Sequence, residues 1–208
     1  MIENLNLQSQ THLQIRQTFE IGELLGFETR NKYQIIDENG QYIGFVAEQQ
    51  KGFLGFIFRQ FLGHWRTFEI HFFDQNRSPI MVGRHPFRWF FQQLDLLQTN
   101  GRYLGRIVRR FSLLSKSFEV QDSRGRILFE VSSPFWRIWT FPFMRGPSEM
   151  ARVSKKWSGL GFEVITDKDN FHLEFLNPVL SVEERALILA SSIYIDLLYF
   201  ENKGRGLV

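Results

Sequence analysis

Short runs of β-prone residues, split by polar turns, recur along most of the chain. Tyr33–Asp37 turns through Glu38-Asn39-Gly40 into Tyr42–Val46, and Leu94–Leu97 through Thr99-Asn100-Gly101 into Tyr103–Val108. Asn-Gly between such runs favours positive φ, the backbone that matches strand twist in a hairpin. The same grammar joins Phe68–Phe73 to Ile80–Val82, Phe118–Gln121 to Ile127–Val131, Trp139–Phe143 to Met150–Lys155 and Phe162–Thr166 to Phe171–Phe175. Six hairpins predict about twelve strands, so the fold is mainly β. The pattern changes after Glu183-Glu184, a pair suited to a helix N-terminus. From Ala186 to Phe200 the chain is apolar except for Ser191, Ser192 and Asp196. A helix apolar almost all round is buried in protein or in lipid. Its length of roughly 22 Å falls short of the ~30 Å hydrocarbon core, and Asp196 makes spanning costlier still. The expectation is a helix over 183–201 inside a protein core.

The C-terminal third reads Ala151-Arg-Val-Ser-Lys-Lys-Trp-Ser-Gly159, then Asp167-Lys-Asp-Asn-Phe171, then an apolar run ending Ile193-Tyr-Ile-Asp-Leu-Leu-Tyr-Phe-Glu201. Upstream stands Gly26-Phe-Glu-Thr-Arg-Asn-Lys-Tyr-Gln-Ile-Ile36. In this order the segments resemble the phospholipid scramblase family, over roughly residues 20–201. The resemblance implies a tubby-like fold: a closed antiparallel barrel of about twelve strands enclosing a C-terminal hydrophobic α-helix. It implies membrane phospholipids as partners, moved in both directions between leaflets in a calcium-linked way. It also implies a calcium loop at Asp167, Asp169, Asn170, Phe171 and Leu173. In an EF-hand-like register, however, the sixth position is His172 rather than Gly and the twelfth is Pro178 rather than Glu. The same residues read as a plain hairpin turn between Phe162–Thr166 and Phe171–Phe175, and the sequence favours the turn over a calcium site.

In an up-and-down barrel the tight turns share one end and the connections between hairpins share the other. Those connections are unusual: Gly52–Arg66, Arg84–Phe91, Arg109–Lys116 and Ser133–Trp139 mix Phe and Trp with Arg. Loops are ordinarily polar and carry function more often than packing. Amphipathic rings beside basic groups suit the bilayer interface. The candidate membrane-interface residues are Phe53, Phe56, Phe58, Arg59, Trp65, Arg66, Arg88, Trp89, Phe90, Arg109, Arg110, Phe135, Trp136 and Arg137, with Lys51, Arg84 and Lys116 completing a basic frame. The bland alternative is that these aromatics plug the barrel end or pack under long loops. Many eukaryotic members of the family carry cysteine-rich runs at such places; this chain has no cysteine, so acylation there is closed.

Composition narrows the rest. The 208 residues predict one domain at 26–201, a lead-in over 1–25 in which Ile15 docks on the barrel, and a tail at 202–208. A net charge of +3 and no continuous basic strip give no support for nucleic acid. The first residues lack a basic n-region and an apolar core, so the expected place is the cytosolic face of a membrane. No nucleophile elbow, P-loop or paired catalytic carboxylates stand out, which speaks against classical enzyme chemistry. Ser192 and Asp196 are the buried polar candidates of the helix, as acceptors and donors rather than chemical groups. Lipid transport, lipid binding without transport, and a soluble barrel that binds a protein partner all remain open at this point; no protein partner is named by the residues.

Overall fold

The computed structural model describes residues 2–18, 29–49, 67–87, 92–134, 136, 139–155 and 170–199. Twelve strands run β1 His12–Gln17, β2 Thr29–Ile36, β3 Tyr42–Gln49, β4 Phe68–Asp74, β5 Pro79–His85, β6 Gln93–Gln98, β7 Tyr103–Arg110, β8 Ser115–Asp122, β9 Ile127–Pro134, β10 Thr140–Arg145, β11 Ser148–Lys155 and β12 Asn170–Phe175. Each pairs antiparallel with its sequence neighbours, and β1 pairs with both β2 and β12, which closes the barrel. The helix α1, Val182–Tyr199, fills it: every residue from Arg185 to Leu197 is buried. The expected barrel and enclosed helix are therefore what the chain forms.

Alternation explains the wall. In β8, Lys116, Phe118 and Val120 are buried, while the residues between them are half-exposed. Phenylalanine fills the gap between wall and helix. Phe118 and Phe129 each meet Phe143 edge-to-face, at 6.3 and 6.2 Å between ring centres. At Gly105 of β7 an added Cβ would lie 2.2 Å from the Gln121 carbonyl oxygen and 3.2 Å from Leu187 on the helix, so only glycine fits there.

One strand comes from an unexpected segment. Residues 12–17, assigned to the lead-in by sequence, are strand β1, with Leu13 and Ile15 fully buried. Strand β12 has β1 on one side and β11 on the other, with Leu13 and Val153 both opposite Leu173. A hairpin pairing Phe162–Thr166 with 171–175 is thereby overturned, because both edges of β12 are occupied. Residues 162–166 themselves lie outside the described residues. Ahead of β1, two 3-10 turns at Ile2–Leu5 and Leu7–Ser9 bury Ile2, Leu5 and Leu7 beneath the first turn of α1. Arg185 of the helix donates to the carbonyls of Leu7, Gln10 and Leu180, which ties that plug in place.

Strand parity gives the barrel two unlike ends. The tight turns after β2, β4, β6, β8 and β10 lie at one end, with the helix N-terminus. The connections after β1, β3, β5, β7, β9 and β11 lie at the other, with the helix C-terminus. Ser181 and Glu184 form a capping box at the helix start: Ser181 Oγ accepts from Glu184 N–H and Glu184 Oε2 accepts from Ser181 N–H.

Candidate functional site

Inside the connector end, the uppermost layer of the wall turns polar. Asn31 of β2, Glu48 of β3, His85 of β5, Lys116 of β8, Ser133 of β9 and Lys155 of β11 are all buried there. Below them the inward side chains are mostly apolar, with Ser191, Ser192 and Asp196 of the helix among the buried polar groups. Asn31 donates to Glu48 Oε2 at 2.6 Å. Asp196 of the helix accepts from the Tyr33 hydroxyl at 2.7 Å, and Lys155 Nζ stands 3.8 Å from its other oxygen. Ser192, one turn earlier, donates to the Leu189 carbonyl within the helix and takes no part in that network. The last turn of α1 carries no basic residue of its own, but the wall supplies two cations. Lys116 Nζ lies 4.9 Å and the Arg109 guanidinium 5.7 Å from the centre of the Tyr199 ring, where they complement the negative end of the helix dipole.

His85 is 2% exposed, stacked at 4.5 Å on Phe68 and tilted over Tyr194. Neither of its ring nitrogens has a hydrogen-bond partner, nor does the Tyr194 hydroxyl. Burial pushes the His85 pKa down to about 4, so the ring is neutral at pH 7.

Outside the same end, the four-residue link between β7 and β8 exposes Phe111, Leu113 and Leu114 to 80, 79 and 72%. Ser112 braces it by accepting from the Ser115 N–H and meeting Ser115 Oγ at 2.8 Å. Trp136, in the next connection but one along the chain, is 76% exposed. Strands β8 and β9 are adjacent, so these connections leave the barrel side by side. Trp139, by contrast, packs against the core.

Among the sequence-predicted interface residues, Trp136 is exposed. Arg110 is exposed and bonded to Glu119 at 2.6 Å, while Arg109 and Lys116 turn inward to Tyr199 and are not rim groups. The reason is parity: both side chains fall on the inner face of their strands, below the connection. Phe53, Phe56, Phe58, Arg59, Trp65, Arg66, Arg88, Trp89, Phe90, Phe135 and Arg137 lie outside the described residues. Phe111, Leu113 and Leu114 were not singled out from the sequence, although three large apolar residues in a four-residue link were a usable signal.

The residues of the implied calcium loop fall partly in β12. Asp167 and Asp169 lie outside the described residues. Asn170, Phe171 and Leu173 belong to β12, a strand paired on both sides, with Phe171 and Leu173 buried in the core. Backbone held in two ladders does not wrap an ion in an EF-hand-like loop. These three residues do not fit calcium, and no step is assigned to it. Among the described residues no cluster of carboxylates and histidines suits a metal. No described helix is long and apolar enough to cross a membrane.

Comparison with known proteins identifies the architecture's kin. A family model described as Scramblase matches residues 2–202. A phospholipid scramblase family protein of Schizosaccharomyces pombe is 25% identical over 92% of this chain and 59% of its own length. Phospholipid scramblase 1 of Homo sapiens is 25% identical over 91% of this chain and 63% of its own. The chain thus spans about three-fifths of the length of these relatives. A solved structure of a protein from Arabidopsis thaliana superposes with a TM-score of 0.54 at 11% identity, over 94% of this chain and 96% of that one, a likeness of fold. With the profile running through the barrel and its helix alike, the chain belongs to the scramblase family.

Proposed function

We propose that the protein is scramblase-like: it docks the connector end of its barrel on membrane phospholipids and promotes their movement between leaflets. The cluster of Phe111, Leu113, Leu114 and Trp136 carries the docking half. Fully withdrawing a large apolar side chain from water is worth about 2 kcal/mol, so four partly inserted side chains give reversible attachment. Arg59, Arg66, Arg88, Arg110 and Arg137 belong to the connections at this end or flank them, and each basic group near an anionic surface adds about 1 kcal/mol. Anionic phospholipid is accordingly the favoured surface, and the cytosolic leaflet carries it.

The transport half is supported by the family and by relatives named phospholipid scramblase. The strands, six to eight residues long, are shorter than the roughly nine to eleven that a membrane barrel needs, and the helix occupies the lumen. The protein therefore acts from the surface, where a wedge of aromatic and aliphatic groups loosens lipid packing; no covalent step is involved. Proteoliposomes with fluorescent lipid in both leaflets test it. Dithionite should bleach well beyond half of the signal when the protein is present. Bleaching of only the outer half, with the protein still bound, would replace this reading by lipid binding without transport.

A further inference from the structure

The tight-turn end carries charge as well as sealing the barrel. The turns after β4, β6, β8 and β10 hold Arg77, Arg102, Arg124, Arg126 and Arg145 in or beside them. Because the strands pair in sequence order, these turns are consecutive on the rim, about 10 Å apart at two strand spacings each. Three of the arginines are matched: Arg102 by Glu183, Arg126 by Asp122 and Arg145 by Glu184. Arg77 and Arg124 are exposed, and among the described residues neither guanidinium has a hydrogen-bond or ion-pair partner. Asp74, in the same turn as Arg77, is buried and occupied by turn amides and by Asn4.

Arg77 is also a strained choice for its position. The equivalent residue after β2, β6 and β8 is Gly40, Gly101 or Gly125, each with positive φ, whereas Arg77 holds φ 63° with a Cβ. No bond of its side chain within the described residues offsets that strain. A strained side chain without a partner inside the molecule points to one outside it. The register of β3 on β4 sets Tyr42, 40% exposed, beside the same turn. Tyr and Arg are among the residue types that dominate binding energy at protein interfaces.

We infer that this rim binds an acidic segment of a partner protein, with Arg77 and Arg124 as the charge contacts and Tyr42 at its edge. A guanidinium fork meets a carboxylate in two parallel bonds, which gives orientation as well as charge. The two unmatched arginines stand two turns apart, about 20 Å along the rim, a span covered by roughly six residues of extended chain. A nucleic acid offers a phosphate every few ångströms, a spacing that cations this sparse do not follow. The inference is independent of docking, because this end lies opposite the connector end and stays open to water whether or not the protein is on a membrane.

The test follows the arginine Nε–H and Tyr42 ring signals by NMR in the full chain. The probes are a short peptide alternating Glu and Ser, its counterpart with Gln for Glu, and an oligodeoxythymidylate of the same length. The Glu peptide should give saturable shifts at Arg77, Arg124 and Tyr42 in the millimolar range, and the Gln peptide none. Arg77→Gly and Arg124→Gln should each weaken it about threefold, and together about tenfold. Arg77→Gly should at the same time raise the urea midpoint, so that its loss of binding is not a loss of fold. Arg16→Gln removes the same charge from the outer wall of β1 and should leave the affinity unaltered. An equal loss in Arg16→Gln, no saturable shift up to tens of millimolar peptide, or tighter binding of the oligonucleotide overturns the inference.

Discussion

An imidazole enclosed between Phe68 and Tyr194, with no hydrogen bond to either nitrogen, makes stability depend on pH in a defined direction. His85 titrates near 6.5 in an unfolded chain and at about 4 in the barrel. Between those values the unfolded chain holds the proton and the folded one does not. The contribution is whole above about pH 6.5 and is lost as pH falls toward and through 4, amounting to roughly 3 kcal/mol. Urea titrations at pH 7.5 and pH 5 should show the loss in the native chain and a much flatter response in His85→Phe. Asp196 behaves differently, because its removal leaves Lys155 without its carboxylate and Tyr33 without its acceptor. Asp196→Ala should cost about 3 kcal/mol in the same assay. A lone carboxylate in an apolar run made Asp196 legible in the sequence as a buried acceptor. Its partner was not legible, since Tyr33 lies far away along the chain. His85 was hidden for another reason: the sequence pattern ended that strand at Val82, and only its extension to His85 carries the ring inside.

Four hairpins use one turn. The N–H of Gly40, Arg77, Gly101 and Gly125 returns to the carbonyl three residues before it, and each of the four residues has positive φ. Asp37, Asp74 and Asp122 reinforce three of these turns by accepting two further backbone N–H groups through Oδ1. Arg77 is the exception to glycine, at φ 63°, where a Cβ is strained. Arg77→Gly should therefore stabilise the protein by about 0.5–1 kcal/mol in thermal or urea unfolding. Gly105→Ala should do the opposite, costing at least about 2 kcal/mol, because the wall is pressed against the helix there. Turn chemistry is local, which is why three of these hairpins could be read from Asn-Gly and Asp-x-x-Gly, and the fourth from the polar run Asp74-Gln-Asn-Arg77 between two β-prone runs. Strand β1 has no hairpin turn: its partners, β2 and β12, lie across long connections. His12-Leu-Gln-Ile-Arg-Gln17 does alternate polar and apolar, but alternation without a turn names no neighbour. The Asp167-Lys-Asp-Asn turn failed for the converse reason. It has good turn composition, yet β12 had already been claimed on both edges.

Taken as a whole, the molecule is polarised. One end is sealed by tight turns and by the N-terminal plug that Arg185 secures; at the other, where the odd-numbered strands end, lie a polar interior layer and the helix C-terminus. Parity alone makes this asymmetry readable in the sequence, because the connections rich in Phe, Trp and Arg all follow odd-numbered strands. The inward turn of Arg109 and Lys116 required the register of β7 and β8, which loop composition does not contain. Both ends expose some apolar side chains, so the polarity itself is open to direct challenge. Leu176 and Val179, near the tight-turn end, are exposed at 46 and 78% and provide the matched control. Flotation on vesicles of phosphatidylserine and phosphatidylcholine should be compared for two variants, each first shown to unfold like the native chain. Phe111, Leu113, Leu114 and Trp136 changed to Ser should reduce the floating fraction at least tenfold, while Leu176 and Val179 changed to Ser should leave it unaltered. Retention by the first variant, or loss by the second alone, would contradict docking through the connector end.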